Sequence, residues 1–109
     1  METPIARLTT RKQVTWSASK TSAAIKLDGK SRALFLEIPA TFTTASVTYK
    51  QKDAAGTWKD VYKDGVQLST TVSAGKMNKL PGDDLFGLDE IQIISNTAET
   101  GNGYLMVTA

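Results

Sequence analysis

Short runs in which apolar and polar residues alternate predict that the chain is built from β-strands. The clearest run covers residues 32–38, where Leu34, Leu36 and Ile38 fall on one face and Phe35 falls on the other. Alternation with a two-residue period is typical of a strand that has one face in a core. Similar runs, rich in Val, Ile, Thr and aromatic residues, cover residues 14–17, 23–27, 45–51, 58–62, 66–72, 76–80, 90–95 and 104–108. These patterns predict about eight strands.

Turn-forming residues separate these runs at short intervals. Asp28-Gly29 and Asp64-Gly65 are dipeptides that favour tight hairpin turns, and residues 53–56 form another hairpin-type turn. Residues 82–88 predict a single helical turn, and the polar residues 96–103 predict a loop. Strands at a spacing of roughly 8 to 12 residues, without an amphipathic helix, predict an all-β fold, an antiparallel β-sandwich of the jelly-roll type.

The start of the chain lacks this alternation, and it predicts an extended N-terminal arm over residues 1–13. Residues 14–109 then form the β-sandwich domain, since a chain of 109 residues has the usual size of one domain. No apolar run approaches the roughly 20 residues that a membrane-spanning helix needs. The N-terminus shows no apolar run behind a basic start, so we expect synthesis in the cytoplasm.

Charge is distributed unevenly, although the net charge is only +2. Residues 1–32 hold seven basic and two acidic residues, whereas residues 37–109 hold six basic and nine acidic residues. Such asymmetry can mark a basic arm that meets an acidic surface, and the candidate residues in the arm are Arg7, Arg11 and Lys12. We expect no binding to nucleic acid, because the basic residues are dispersed and only Trp16 lies among them to stack on bases.

The side chains that most enzymes use are missing, since the sequence has no Cys and no His. This removes thiol nucleophiles, disulfides, the usual zinc ligands and the side chain best suited to proton transfer near pH 7. Carboxylates that could serve glycoside hydrolysis or calcium binding lack the spacing of an EF-hand loop. They are Asp53, Asp60, Asp64, Asp83, Asp84, Asp89 and Glu90. We therefore predict no enzymatic activity, no metal and no cofactor.

Aromatic residues are the remaining candidates for a binding site. Trp58, Tyr62 and Tyr49 could form a flat platform for sugar rings, as surface aromatics do on carbohydrate-binding sandwiches. The alternative is that Trp58 and Tyr62 share one face of a strand and fill the core, and the sequence favours this interpretation. The candidate surface aromatics of a glycan site are Trp16, Trp58 and Tyr62, and their exposure distinguishes the two interpretations.

Several short segments from residue 38 onward carry a resemblance to a known family. They are Ile38-Pro39-Ala40, Ala45-Ser46-Val47-Thr48-Tyr49, Gly56-Thr57-Trp58, Val61-Tyr62, Asp64-Gly65, Val72-Ser73-Ala74-Gly75, Leu80-Pro81, Leu85-Phe86-Gly87-Leu88 and Ile91-Gln92-Ile93-Ile94-Ser95. In order and spacing they resemble small all-β virion proteins of tailed bacteriophages, of the capsid decoration or cement type. The resemblance covers roughly two-thirds of the chain and consists of turn and core residues, so it indicates an architecture and carries no catalytic residue.

The resemblance implies a non-enzymatic structural protein that binds and stabilises an assembled capsid lattice. It implies the major capsid protein as partner, assembly into dimers or trimers, and a place on the capsid exterior of the virion. The basic arm is suited to reach across a seam between subunits, by strand addition or by charge pairing. The alternative function is a carbohydrate-binding or adaptor β-sandwich module of a phage tail, neck or fibre, which would use the exposed aromatics on glycans.

Overall fold

A computed structural model describes residues 9–27, 32–82, 84–85 and 89–108. The described residues form β-strands and turns, and every strand pairing is antiparallel. The strands are β1 (Thr9–Thr21), β2 (Ile25–Lys26), β3 (Arg32–Glu37), β4 (Ser46–Lys52), β5 (Trp58–Asp60), β6 (Tyr62–Lys63), β7 (Val66–Gln67), β8 (Ser69–Thr71), β9 (Met77–Lys79) and β10 (Glu90–Thr108). The predicted all-β, antiparallel class is confirmed.

Strand β10 organises the main sheet, which has eight strands within the described residues. Its first half, from Ile91 to Ser95, pairs with β4, and its second half, from Tyr104 to Thr108, lies between β1 and β3. Strand β2 also pairs with the first half, β9 borders β3, and β5 and β8 border β4. Strands β6 and β7 form a separate hairpin. One long strand therefore connects two sets of shorter strands.

The inward faces of both halves of this sheet contribute to one core. Leu36 and Leu105 come from the half built on β3, and Tyr49, Ile91 and Ile93 come from the half built on β4. All five are fully buried. A single core shared by two sets of strands is consistent with the predicted sandwich, and the jelly-roll strand order stays a prediction.

The alternation predicted for β3 is largely confirmed. Leu36 and Ile38 are buried, and Phe35 lies on the opposite face with 36% of its surface exposed. Leu34 is only half-buried, because the pairing of β3 with β10 shifts register next to it and turns Ala33 into the core instead. A bulge of this kind reverses which residues face inward on its far side.

The loop predicted over residues 96–103 is wrong, since β10 continues through it. Its polar composition has a different cause. Asn96 and Glu99 accept hydrogen bonds from the backbone of the segment that precedes β4. A Cβ atom on Gly103 would lie 2.6 Å from the carbonyl oxygen of Glu37 and 3.2 Å from the ring of Trp16, so only glycine fits there. Polar and small residues in this strand serve close packing.

The part of the predicted N-terminal arm that the structure describes lies in a paired strand. Residues 9–13 belong to β1, which pairs with β10 from Thr9 onward without a break until Trp16. They lack an apolar alternation because the backbone of β10 holds them, so few apolar side chains are needed there. Residues 1–8, which include Arg7, lie outside the described residues.

The predicted turns have different outcomes. Asp64 and Gly65 have φ angles of 53° and 78° and join β6 to β7, as the two central residues of a type I′ turn do. The Asp53 turn is confirmed by the bond from the Gly56 N–H to the Asp53 carbonyl. Asp28-Gly29 lies outside the described residues, as do residues 83 and 86–88 of the predicted helical turn.

Candidate interaction surface

The side of the β1–β10–β3–β9 sheet that faces away from the core presents apolar and polar side chains in equal number. We call it the outer face and define it by Arg11, Gln13, Tyr104, Met106, Phe35, Glu37, Met77 and Lys79. Directly opposed residues in an antiparallel sheet point to the same side, and their chain neighbours point to the other. Leu36 and Leu105 are fully buried. Their chain neighbours Phe35 and Met106 therefore point outward.

The register of the strands sets these residues in two rows across the sheet. One row runs Arg11, Met106, Phe35, Lys79, and the next runs Gln13, Tyr104, Glu37, Met77. The residues come from four strands that are far apart in sequence. Each row therefore exists only because the sheet has this register.

The outer face combines exposed apolar surface with cations at its sides. Phe35 is 36% exposed and Met77 is 48% exposed, while Met106 and Tyr104 are half-buried between them and β1. The guanidinium carbon of Arg11 lies 5.4 Å from the centre of the Tyr104 ring, which is a cation–π distance. Lys79 stands at the far side of the same row. Apolar residues clustered on a sheet surface and rimmed by charge are typical of a protein-binding surface.

The two cations of the predicted arm that the structure describes point to different sides. Arg11 stands on the outer face, and Lys12 lies opposite Leu105 on the core side, where it is half-buried. Their positions in a strand explain the separation, since successive side chains alternate. Only Arg11 joins the candidate surface.

Trp16 is a core residue, which corrects its place among the candidate surface aromatics. It is 1% exposed and packs edge-on against Phe42, with ring centres 5.3 Å apart and planes at 83°. Its indole Nε1–H donates to the carbonyl of Lys20 at 3.2 Å, which satisfies its one polar group. Trp16 faces inward because it follows buried Val14 by two residues.

The predicted aromatic platform is not formed, because its members lie in different environments. Tyr49 is fully buried, and its hydroxyl lies 2.6 Å from Thr70 Oγ1. Trp58 is half-buried on edge strand β5, with the Lys52 ammonium 5.2 Å from its ring centre. Tyr62 is 59% exposed on the separate β6–β7 hairpin. The preferred interpretation, that Trp58 and Tyr62 fill the core, is wrong as well, since the predicted strand 58–62 is interrupted at Val61.

Tyr49, the buried member of the predicted aromatic platform, is a weaker acid than an exposed tyrosine. Desolvation raises the pKa of Tyr49 to about 12, against an opposing effect of its hydrogen bond to Thr70. A phenol in this state is protonated at any physiological pH. Tyr49 therefore acts as a structural hydrogen-bonding group.

The candidate carboxylates are paired with lysines or are exposed. Glu90 contacts Lys52 at 3.3 Å, and Asp84 contacts Lys63 at 3.0 Å. Among the described residues, no group of three or more acidic side chains is placed to hold a metal ion. Asp60, Asp64 and Asp89 are exposed, and Asp83 lies outside the described residues.

Asp53 closes its own turn. Its Oδ1 accepts the N–H groups of Thr57 and Ala55 at 2.9 Å each, and Lys59 lies 3.5 Å from its Oδ2. The hydrogen bond from Thr57 holds the pKa of this carboxyl below its usual range, with smaller contributions from Ala55 and Lys59. This is the local bonding of an Asx turn, and it accounts for the residue without a ligand.

A shallow groove of about 370 Å³ lies beside the β4–β5 hairpin. Its lining residues are Gln51, Lys52, Asp53, Lys59, Asp60 and Val61. Trp58 and Tyr62 do not line it, so the groove does not combine an aromatic platform with polar groups as sugar sites do.

Sequence reasoning missed most of the outer face. Two of its residues carry a signal in the sequence: the alternation in residues 32–38 points Phe35 away from the core, and charge asymmetry singles out Arg11. Met77, Met106 and Lys79 gave no signal, because nothing in the sequence pairs β9 and β10 with β3.

Comparisons with protein-family models, with curated proteins and with solved structures gave no match to this chain. No membrane-spanning helix is found in the part of the chain that the structure describes.

Proposed function

We propose that this chain is a non-enzymatic structural protein of a tailed-phage particle, which binds the assembled capsid lattice from the outside and stabilises it. The observation that carries the proposal is the outer face. It exposes Phe35 and Met77 on a hydrogen-bonded sheet, with Arg11 and Lys79 at the sides. The resemblance of the turn and core segments to capsid decoration proteins supports the same function.

A rigid sheet surface suits this role for a physical reason. The backbones of β1 and β3 are both paired with β10 along the outer face, with one bulge in β3, so little conformational entropy is lost when their side chains meet a partner. A protein that binds the expanded lattice and not its precursor stabilises the expanded lattice by mass action. Many copies on one shell multiply that effect. The major capsid protein is the proposed partner.

The alternative function is glycan binding by a tail, neck or fibre module. Tyr62 is the observation that favours it, since this residue is 59% exposed on the separate β6–β7 hairpin. The burial of Tyr49 weakens this alternative, because it leaves no three-ring platform. We rank it second.

Binding to empty expanded capsids, measured by co-sedimentation, tests the proposal. The wild type should bind saturably, and a Phe35→Ser, Met77→Ser double variant should bind at least tenfold more weakly. A control is Tyr62→Ser with Val66→Ser, which removes two apolar side chains that are even more exposed, at 59% and 68%, from the β6–β7 hairpin.

The control variant should bind as the wild type does. If the control variant loses capsid binding and the outer-face variant keeps it, the capsid-binding site lies on the β6–β7 hairpin. Glycan binding without capsid binding would favour the alternative function.

A further inference from the structure

Among the described residues, the first half of β1 forms one edge of the main sheet. Its register with β10 is unbroken from Thr9 opposite Thr108 to Trp16 opposite Gly101. On its other side, no strand among the described residues pairs with residues 9–14. An edge strand of this length offers backbone donors and acceptors to another chain.

The backbone groups that face this edge can be identified from one hydrogen bond. The carbonyl of Thr15 accepts the N–H of Ala23 at 2.8 Å, so it points away from β10. Backbone groups in a strand alternate sides with a period of two residues. The N–H and C=O groups of Gln13 and Arg11 therefore point away from β10 as well, whereas those of Lys12 and Val14 point toward it.

We propose that the edge formed by residues 11–13 binds an extended, acidic segment of another protein chain by strand addition. The inference rests on the proposed function, in which that chain is a capsid subunit. Strand addition supplies affinity through main-chain hydrogen bonds, and side chains on both faces select the partner.

Charge selects an acidic partner. Arg11 and Lys12 place one cation on each face of the edge, so a strand paired there meets positive charge whichever way its side chains point. Opposite charges on paired strands are stabilising, and like charges directly opposite are destabilising. An incoming segment with Asp or Glu on both faces matches this edge.

The same charges disfavour a second copy of the chain as the occupant. Two copies of β1 paired antiparallel about Arg11 would oppose Arg11 to Arg11, and pairing about Lys12 would oppose Lys12 to Lys12. Pairing about Gln13 would oppose Arg11 to Thr15, whose carbonyl already accepts the Ala23 N–H. These three antiparallel registers of self-pairing are therefore penalised.

A proline at one position tests the edge without breaking the sheet. Gln13→Pro removes an N–H that faces the edge and leaves every bond to β10, and Gln13→Ala removes the same side chain while keeping the N–H. Arg11→Glu reverses the charge on one face. Each variant is tested for co-sedimentation with empty expanded capsids.

We expect Gln13→Pro to bind at least tenfold more weakly than Gln13→Ala, since the two variants lose the same side chain and differ in the N–H. We expect Arg11→Glu to bind at least tenfold more weakly than the wild type. Equal binding by Gln13→Pro and Gln13→Ala would overturn the inference and leave the proposed function standing. If the wild type itself fails to bind capsids, the proposed function fails, and the capsid partner named here fails with it.

Two further measurements keep the inference falsifiable if Gln13→Pro does not fold. Amide hydrogen exchange on the wild type should show the Arg11 and Gln13 N–H groups protected at least tenfold more on capsids than in free protein, with the Tyr62 N–H unchanged. Unchanged protection at Arg11 and Gln13 would overturn the inference. Sedimentation of the free protein should show no dimer that is lost in Gln13→Pro. Such a dimer would mean that a second copy of this chain, and not an acidic segment of another protein, pairs with the β1 edge.

Discussion

Replacing the buried carboxylate of Glu99 should destabilise the fold strongly. This residue is 7% exposed, and its Oε2 accepts the N–H of Thr43 at 2.9 Å, the N–H of Thr44 at 2.8 Å and the hydroxyl of Thr97 at 3.1 Å. It therefore fixes the segment before β4 to the middle of β10. Glu99→Ala removes the acceptor, and Glu99→Gln keeps an acceptor oxygen without the charge.

The size of the loss in stability depends on which N–H groups find no other hydrogen-bond acceptor in Glu99→Ala. A hydrogen bond to a charged group contributes about 1.5–3 kcal/mol. Thr44 is 3% exposed, so its N–H would stay buried and unpaired, whereas the exposed Thr43 can turn its N–H to water. We expect Glu99→Ala to lower the free energy of unfolding by about 2–4 kcal/mol, and Glu99→Gln to lower it by about 1 kcal/mol.

Urea unfolding followed by tryptophan fluorescence measures both values, because buried Trp16 reports loss of the core. A Glu99→Ala effect below about 0.5 kcal/mol would refute the reasoning, since surface substitutions have effects of that size. Equal losses in the two variants would show that the charge matters and the acceptor geometry does not.

Three further predictions concern packing, ionisation and exposure. Gly103→Ala should lower the free energy of unfolding by about 3 kcal/mol or more, because its Cβ would lie 2.6 Å from a backbone oxygen. Gly65→Ala, which has open space around it and a φ of 78°, should lower it by only about 1 kcal/mol in the same urea assay. Equal losses in the two variants would contradict this prediction. Burial raises the pKa of Tyr49 from 10.0 to about 12, so the folded state holds its proton longer than the unfolded state, and stability present below pH 10 should fall as the pH rises to about 12. Tyr49→Phe should lack this part of the fall when both proteins are unfolded in urea at pH 9 and pH 11.5, and parallel losses would contradict the assignment. Each tryptophan can be observed alone, Trp58 in a Trp16→Phe variant and Trp16 in a Trp58→Phe variant. Acrylamide should quench the fluorescence of Trp58 more strongly, because Trp16 is 1% exposed. The reverse order would contradict the burial of Trp16.

The sequence predicted the fold class because alternation is a local property. The side-chain pattern of residues 32–38 placed Leu36 inward and Phe35 outward, and the structure confirms both. The Asp64-Gly65 turn was predictable for the same reason, since its two positive φ angles suit those residue types.

The same local reasoning failed where tertiary contacts decide the conformation. Asn96 and Glu99 have the composition of a loop, yet their side chains bond the backbone of a neighbouring segment while their own backbone stays in a strand. Residues 9–13 have no apolar alternation, yet β10 pairs with them. Propensity is a weak guide wherever pairing to a distant strand supplies the stability.

The candidate surface could not be predicted, because it depends on register between distant strands. Arg11 was named from its charge, but its neighbours Tyr104 and Met106 are more than ninety positions away in the chain. Trp16 was misplaced because an aromatic residue among cations is equally compatible with a core face and a binding face. Trp58 was misplaced because β5 turned out to be an edge strand with three residues.

Calorimetry of empty capsids with the purified protein tests the central claim most directly. The chain should bind expanded capsids saturably and raise their melting temperature, bind precursor capsids at least tenfold more weakly, and lose both effects in the Phe35→Ser, Met77→Ser variant. An unchanged melting temperature of expanded capsids at saturating protein would contradict the proposed function, and an equal rise with the outer-face variant would contradict the surface assigned to it.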